Sequence, residues 1–429
     1  MNIAMISEHA SPLAALGGVD SGGQNVYVAQ VAKELGRREH NVVVFTRRDD
    51  PSLPEELDCA PNVRLVHVRA GPEQAVRKEE LLPLMREFGA QVDAWIGRQE
   101  SGFDLAHANF FMSGLVAAHL QLSHGVPFVI TFHALGRVRR RHQGEADTFP
   151  NERFEIEERL ADEARLVIAE CPQDREDLLG LYGAAEERIR VVPCGYSPEE
   201  MGPLPQTEAR ARLDLPQDER VVLQLGRMVP RKGVEDAIRG VARLVNEYGV
   251  AARLVIVGGD SPAPDPLRTP ELGRLMSIAR EEGIAERVRF EGQRDRDQLR
   301  DYYCAADVFI STPWYEPFGI TPVEAMACGV PVLGSAVGGI KSTVVDGETG
   351  FLVPARDPTA IAGRLAVMLR NEELLARMRE RSLGRAADFT WQRVADGIEA
   401  VYREVLDQPR FMSQTAGIKG GSEHVSTGW

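Results

Sequence analysis

Two glutamates separated by seven residues stand in the most chemically informative stretch of this sequence. Glu316 follows the apolar run Val308–Ile310, and Glu324 falls in the first turns of a helix that we expect to begin near Thr321, after the turn at Gly319. Free N–H groups at a helix start can hold hydroxyl or phosphate oxygens, and carboxylates accept paired hydrogen bonds from vicinal hydroxyls. The pair predicts a site for a ribose or hexose. The alternative is that Glu324 only favours the helix dipole and Glu316 only caps a loop.

A second group of charged residues follows the first apolar run of the second half of the chain. In Leu225–Gly233, Arg227 stands at the expected strand end and Lys232 at the start of the next helix. Two cations in such a loop suit a pyrophosphate and would stabilise the charge on a leaving diphosphate, in place of a metal ion. A solvated basic turn is the alternative.

Loops of the first half carry further candidates. The first loop holds Gly17, Gly18, Gly22 and Gly23, which allow the backbone to approach a ligand closely before a helix begins. It matches neither the dinucleotide fingerprint nor a Walker A loop. His133 ends the apolar strand expected near Pro127–Phe132, where a lone histidine is often only polar surface.

The elements that must position these residues alternate between strand and helix. Short apolar runs such as residues 2–7, 41–46 and 63–68 alternate with helical patterns, among them one expected over 78–99, which predicts parallel sheets and an α/β fold. A Pro- and Gly-rich stretch at 193–218 separates two such series. We therefore predict two Rossmann-like domains facing each other across a cleft, at 1–195 and 196–390, a helix at 391–407 that crosses back, and a disordered tail at 408–429.

Composition narrows the class of protein. The net charge of −14 argues against nucleic acid as the main partner. Five cysteines without a C-x-x-C pair suit reduced thiols, and we expect a cytoplasmic protein with neither a signal peptide nor a transmembrane segment. The nine histidines have no metal-ligand spacing, and capping of a helix explains Asp295-Arg-Asp297 better than metal binding.

The segment from Glu316 to Glu324, with the Gly-Arg-x4-Lys-Gly pattern at 226–233, resembles the signatures of the retaining family 4 glycosyltransferases, and the resemblance extends over about residues 1–406. It implies the GT-B fold, with an acceptor-side first domain, a nucleotide-sugar-binding second domain and no required cofactor or metal. It assigns catalytic roles to His133, Glu316, Arg227 and Lys232. The donor site that it implies consists of Gly23, Arg227, Lys232, the backbone of Gln293 and Arg294, Glu316, the backbone of Phe318, Gly319 and Ile320, and Glu324, which would hold the ribose.

The first half is most similar to sucrose-phosphate synthases and to the transferase that begins mycothiol synthesis. That similarity implies an acceptor site at Asn25, Lys78, Asn109 and Phe110. A Tyr, a Thr and an Arg that hold the acceptor phosphate in the mycothiol enzyme correspond here to Phe110, Ala134 and Phe154, which removes phosphate donors. A core or surface role for Asn109 remains open. So does the choice between an anion site and a flexible loop for the run Arg137–Arg141.

The resemblance predicts a retaining hexosyltransferase that moves sugar from a nucleotide-sugar, with UDP favoured, to a hydroxyl of a small, possibly anionic acceptor. Attack on the face that the diphosphate leaves is the expected mechanism. His133 is expected to hydrogen-bond the donor sugar. A nucleotide-sugar epimerase or a sugar phosphorylase on the same fold is the first alternative. A non-catalytic nucleotide-sugar binding protein is the second.

Overall fold

An eight-stranded sheet organises the first half of the chain in the computed structural model, which describes residues 1–13 and 22–408. Its strand order is β3-β4-β2-β1-β5-β6-β7-β8, and neighbouring strands are parallel except for the antiparallel pair β3–β4. The strands are β1 (Asn2–Ile6), β2 (Asn41–Arg47), β3 (Glu56–Ala60), β4 (Val63–Val68), β5 (Leu105–Asn109), β6 (Phe128–Thr131), β7 (Leu166–Ala169) and β8 (Ile189–Val191). The helices are α1 (Gly23–Arg37), α2 (Met85–Ile96), α3 (Phe111–His124), α4 (Gly136–Gln143), α5 (Glu152–Glu163) and α6 (Pro172–Tyr182).

A six-stranded sheet of order β11-β10-β9-β12-β13-β14 organises the second half, and all its pairs are parallel. The strands are β9 (Arg220–Leu225), β10 (Ala252–Val257), β11 (Val288–Gly292), β12 (Val308–Ser311), β13 (Val332–Ser335) and β14 (Gly350–Val353). The helices are α7 (Gln206–Arg212), α8 (Val234–Asn246), α9 (Pro270–Glu281), α10 (Arg296–Ala305), α11 (Ile320–Ala327), α12 (Ile340–Thr343), α13 (Pro358–Leu369), α14 (Glu372–Ala386) and α15 (Trp391–Asp407).

The structure departs from the predicted elements where the sequence lacks an apolar pattern. The helix expected over 78–99 begins only at Met85, after two 3-10 turns, because Pro83 lacks the N–H that a continuous helix needs. The edge strand β3 was not predicted. Nor were α4, which is almost wholly basic, and α7, which lies inside the predicted linker. The glycines at 17 and 18 and the predicted tail beyond Gln408 lie outside the described residues.

Burial explains why the two halves hold together. One hydrophobic cluster covers a face of the first sheet with α2, α3 and α5, and another packs α8, α9 and α13 on the second sheet. A third cluster is continuous from α1 to α10, α11 and α15, so it connects elements of both sheets. Within the described ranges, no helix has the length and apolar character that crossing a bilayer requires. All five cysteines are free, as predicted.

The helix α15 follows the second sheet in sequence but packs against α1 beside the first. The Trp391 ring meets the Tyr27 ring edge-on, with 6.0 Å between centroids. Arg38, just after α1, donates to the Gln392 carbonyl at 2.7 Å. The Tyr402 hydroxyl lies 2.7 Å from Nδ1 of His107, a fully buried residue of β5. A polar contact inside the core therefore ties the end of the described chain to the middle of the first sheet.

We expect the substitution Tyr402→Phe to destabilise the fold, because it leaves Nδ1 of the buried His107 without a partner. The expected loss is about 1–3 kcal/mol of unfolding free energy, measured by urea denaturation. Tyr248→Phe is the control, since Tyr248 is only partly buried and its ring lies under Arg370. The control is expected to change stability by less than about 0.5 kcal/mol. Equal effects of the two substitutions would contradict a specific role for the contact.

Candidate active site

A cleft lies between the carboxyl ends of the two sheets, where open α/β sheets bind ligands. It consists of two adjoining pockets that share the start of α1, the loop after β9 and the start of α11. All the predicted site residues except Asn109 line one or both pockets: Gly23, Asn25, Lys78, Phe110, His133, Arg227, Lys232, Gln293, Arg294, Glu316, Phe318, Gly319, Ile320 and Glu324. Residues far apart in sequence therefore meet as the motifs predicted.

The cationic loop after β9 is fixed by a close backbone approach. Gly233 has φ +65°, and a Cβ there would lie 1.9 Å from the Thr312 carbonyl oxygen, so a side chain does not fit. This turn brings Lys232 into an ion pair with Glu316 across the cleft floor. Arg227 lines both pockets, and so does Arg231, which sequence reasoning left out. The cations at 227, 231 and 232 form what we call the cation clamp.

Glu316 lies in the loop after β12, and Gly338 packs directly on that loop. A Cβ at Gly338 would come within 1.8 Å of the Glu316 carbonyl oxygen. Burial alone would raise the pKa of the Glu316 carboxyl, but the positive charges of Lys232, Arg231 and Arg227 outweigh it and lower the pKa. Glu316 is therefore a carboxylate beside the start of α11, where the helix offers free N–H groups.

Glu324 is 2% exposed and is held by two partners. The Tyr303 hydroxyl donates to its Oε2 at 2.9 Å, and the Arg296 guanidinium lies 2.8 Å from its Oε1. Sequence reasoning missed Arg296, although the segment containing it was considered: Asp295 caps α10 with Gln298 in a capping box, which confirms the capping prediction. The arginine between the two aspartates reaches the cleft and orients Glu324.

Gln293 and Arg294 follow β11 at the edge of the cleft. The Arg294 side chain donates to the Tyr302 hydroxyl at 2.9 Å, to Glu291 at 2.8 Å and to the Pro262 carbonyl at 2.7 Å. The guanidinium of Arg294 is therefore engaged in hydrogen bonds within the protein. The predicted donor-binding role of this segment belongs to its backbone and stays a prediction.

On the first-sheet side of the cleft, where the acceptor site was predicted, the aromatic side chain of Phe110 lines the wall. The Phe110 ring lies edge-on to His9, with 5.0 Å between centroids, and over the guanidinium of Arg153 at 4.8 Å. Arg153 is fully buried and paired with Glu157 at 2.7 Å. Asn25 is 3% exposed and stabilises the start of α1, where it accepts from the Gly22 N–H at 2.9 Å.

The basic run at 137–141 forms the helix α4 and not a flexible loop. Arg139 lines the cleft but pairs with the buried Asp147 at 2.8 Å and with Glu79 at 3.2 Å, so its charge is compensated. Gln143, at the end of α4, donates to the Tyr315 hydroxyl at 2.6 Å, and the His142 ring stacks on the Tyr315 ring at 5.1 Å. The helix thus contacts the loop that carries Glu316.

His133 lies on the cleft floor in a left-handed backbone conformation, with φ +57°. Its Nδ1 is 3.0 Å from Oε1 of Glu170, and its Nε2 is 3.0 Å from Oδ1 of Asn109. Asn109, predicted to bind the acceptor, is fully buried behind His133 and does not reach the cleft, because its side chain points into the sheet. Glu170 was missed, although it directly follows β7 at the carboxyl edge of the sheet, where functional residues collect.

The described residues contain no group of three or more His, Cys, Asp or Glu side chains placed to hold a metal ion. The cation clamp and the start of α11 contribute positive charge to the cleft. Two facing parallel sheets, a cation clamp and paired carboxylates at the carboxyl ends of strands define the class of GT-B glycosyltransferases.

Comparisons with known proteins agree with this class. The sequence profile described as Glycosyl transferases group 1 matches residues 205–384, and that described as Glycosyltransferase Family 4 matches residues 21–200. The chain is 37% identical over 413 residues to the D-inositol 3-phosphate glycosyltransferase of Acidothermus cellulolyticus, covering 95% of this chain and 91% of that protein. The corresponding protein of Nocardia farcinica is 36% identical over 422 residues, covering 98% and 92%.

Solved structures give the same result. The sucrose-phosphate synthase of Thermosynechococcus elongatus superposes with a TM-score of 0.87 at 33% identity, covering 94% of this chain and 99% of that one. HepE from Anabaena, with UDP and glucose, shares the fold at a TM-score of 0.72 and 20% identity, with coverage of 94% and 99%. The chain therefore belongs to the family 4 glycosyltransferases, as the sequence signatures predicted, and it is a glycosyltransferase with the GT-B fold.

Near the cleft floor, Asp174 makes stability depend on pH. Burial, followed by the negative charge of Glu170, raises the pKa of the Asp174 carboxyl to about 8. The folded protein therefore keeps a proton that the unfolded chain loses near its ordinary value of about 4. Stability from this group is full below that value and falls by up to about 1.4 kcal/mol per pH unit as the pH rises to about 8.

We expect Asp174→Asn to flatten this dependence and to stabilise the protein most at about pH 8, because the amide cannot ionise. Urea unfolding midpoints measured at several pH values between about 5 and about 8 test this expectation. Asp58→Asn is the control, since the Asp58 side chain is 78% exposed. A slope in Asp174→Asn as steep as in the unaltered protein would show that Asp174 does not titrate with folding.

Proposed function

We propose that this glycosyltransferase moves a hexosyl group from a nucleotide-sugar to a hydroxyl of a small acceptor and retains the anomeric configuration. The observation that carries the proposal is the contact between Lys232 and Glu316. This contact supports the proposal because a cation that suits a phosphate and a carboxylate that suits hydroxyls lie side by side near the start of α11. A donor that presents a diphosphate next to a sugar ring matches that order of charges.

In the proposed mechanism the cation clamp stabilises the negative charge that develops on the leaving nucleoside diphosphate. Glu316 and the backbone of Phe318, Gly319 and Ile320 hold the sugar, and Glu324 holds the ribose. The acceptor hydroxyl attacks the face from which the diphosphate departs, and a phosphate oxygen assists its deprotonation. Positioning of both substrates in a closed cleft lowers the barrier and excludes water. Since the clamp supplies the positive charge, the proposal includes no required metal ion or cofactor.

A uridine nucleotide is the proposed donor base, on the resemblance of the sequence to sucrose-phosphate synthases and to the mycothiol-initiating transferase. A cytoplasmic location is also part of the proposal, because five free thiols suit a reducing compartment. The epimerase and the non-catalytic binding protein are less favoured, because His133, Glu316 and the complete cation clamp meet in one cleft.

The donor site is tested by thermal unfolding with UDP-, GDP- and ADP-sugars. We expect one nucleotide series to stabilise the protein, by about 2.7 kcal/mol at a ligand concentration of 100 times Kd. Lys232→Ala should abolish that stabilisation, because it removes a cation from the clamp. Lys33→Ala, on α1 and outside the cleft lining, is the matched control and should keep it.

Glu316→Gln separates an enzyme from a binding protein. We expect it to preserve nucleotide binding but to lower turnover at least about 100-fold, as loss of a group that acts on the reacting sugar does. No stabilisation by any nucleotide-sugar would overturn the donor site. An inverted anomer in the product would overturn the retaining mechanism.

The acceptor is proposed to be a small hydroxylated molecule whose ring packs on Phe110. The curated relatives are named for D-inositol 3-phosphate, but Phe110, Ala134 and Phe154 replace the three phosphate-binding residues that the resemblance implies. Lys78 and Arg139 line the cleft, and Arg139 is paired with Asp147 and Glu79. This side therefore offers little uncompensated positive charge for a phosphate dianion.

The triple substitution Phe110→Tyr, Ala134→Thr and Phe154→Arg tests this view of the acceptor. Because it adds two hydroxyl donors and a guanidinium, we expect it to raise kcat/KM for D-inositol 3-phosphate at least about tenfold relative to myo-inositol. Initial rates with both acceptors give the ratio, and Leu122→Ala, at an exposed surface position, is the control. Efficient use of D-inositol 3-phosphate by the unaltered protein would contradict the proposal.

A further inference from the structure

Both ring nitrogens of His133 face oxygen atoms that accept hydrogen bonds. On one side Nδ1 is 3.0 Å from a Glu170 carboxylate oxygen, and on the other Nε2 is 3.0 Å from Oδ1 of Asn109. A neutral imidazole has one N–H and one lone pair, so one of these contacts would bring a lone pair against an acceptor. Only the doubly protonated ring donates to both partners.

The orientation of the Asn109 amide is fixed by its other contacts. Its Nδ2 lies 3.3 Å from the Ile6 carbonyl and 3.3 Å from the His107 carbonyl, both of which only accept. Turning the amide over would direct Oδ1 at two carbonyl oxygens and leave both without a donor. Since Asn109 is fully buried, water cannot relieve that repulsion. Oδ1 therefore faces His133.

His107, on the neighbouring strand β5, shows the opposite arrangement. Its nitrogens face the hydroxyls of Tyr402 at 2.7 Å and of Thr131 at 2.9 Å. A hydroxyl can donate or accept, so these partners satisfy a neutral ring. Burial, with a smaller contribution from His133, lowers the pKa of His107 to about 3. The partners of His107 therefore favour a neutral ring, whereas the partners of His133 favour a charged one.

We infer that Asn109 and Glu170 hold His133 as an imidazolium at neutral pH, so His133 serves as a cation on the cleft floor and does not act as a general base. Asn109 and Glu170 are then positioning residues. The role in catalysis rests on the proposed function, whereas the charge of the ring does not. Since both nitrogens are committed, neither is available for the hydrogen bond to the donor sugar that the sequence predicted. The ring acts through its charge, next to a backbone held at positive φ.

The surroundings of the pair support a charged state. Burial would raise the pKa of the Glu170 carboxyl, but the charge of His133 and its hydrogen bond outweigh burial and lower it. The Cys194 thiol, whose pKa burial raises well above its usual range, stays protonated and donates to Glu170 at 3.0 Å. The titratable and charged groups facing this cluster from the packed elements are Tyr27, His107, Glu170, Asp174, Cys194 and Glu316.

The direct test is NMR of the ring nitrogens in the full chain labelled with nitrogen-15 histidine, with His133→Gln used to assign the signal. We expect both nitrogens of His133 to be protonated at about pH 8, where an unperturbed histidine with its ordinary pKa of about 6.5 is neutral. A single protonated nitrogen at about pH 8 would overturn the inference. The measurement needs no substrate, so it decides the charge even if no nucleotide-sugar is turned over.

Variants test whether the partners maintain the charge. In Glu170→Gln we expect the same spectrum at about pH 8 to show one protonated ring nitrogen on His133 instead of two, because a carboxylate at this distance favours the cation. Asn109→Leu should have the same effect, because it removes the other acceptor. If the chain turns over donor, both variants should lower kcat at that pH.

Asp58→Asn is the control, since it also removes a carboxylate, but from a side chain on β3 that is 78% exposed. Two protonated ring nitrogens in Glu170→Gln, or a single one in Asp58→Asn, would overturn a specific role for Glu170. If a variant does not fold, the spectrum of the unaltered protein still decides the charge.

Discussion

The ion pair between Lys232 and Glu316 is the contact around which the cleft is arranged. Each partner comes from the carboxyl end of a different strand, and two glycines, Gly233 and Gly338, allow the backbone to pass closely enough for the pair to form. A lysine at this position without the carboxylate would add to the repulsion between Arg227 and Arg231. A carboxylate without the cations would carry the full cost of burial. The pair therefore keeps a strongly charged site assembled before any ligand is present.

Much of the fold could be predicted from sequence because buried parallel strands are continuous apolar runs. Thirteen of the fourteen strands that the structure describes were predicted in this way, and the edge strand β3 was not. The residues of β3, Glu56–Ala60, are exposed or only half-buried, so they do not form an apolar run. The basic helix α4 was missed for a related reason. It is held by ion pairs such as that between Arg139 and Asp147. Ion pairs do not produce the regular spacing of apolar residues from which a helix is predicted.

The second-sheet side of the cleft was more predictable than the first-sheet side. Most of its predicted residues come from two short segments, at 225–233 and 316–324, in which the spacing puts charges on one loop and one helix. Partners supplied from elsewhere could not be found in this way. Arg296 reaches Glu324 from α10, and Glu170 reaches His133 from the end of β7. Contacts between loops of different strands depend on the order of strands in the sheet, which a local pattern does not contain.

Asn109 shows how such a contact changes the role that is assigned to a residue. At the end of an apolar strand it looked like a cleft residue, since strand ends meet the ligand in this fold. In the structure its amide turns inward, donates to two carbonyls and leaves one oxygen for His133. An amide is suited to this position because it alone offers donors to one side and an acceptor to the other. The arrangement of the cleft floor thus depends in part on a fully buried side chain that does not line the cleft.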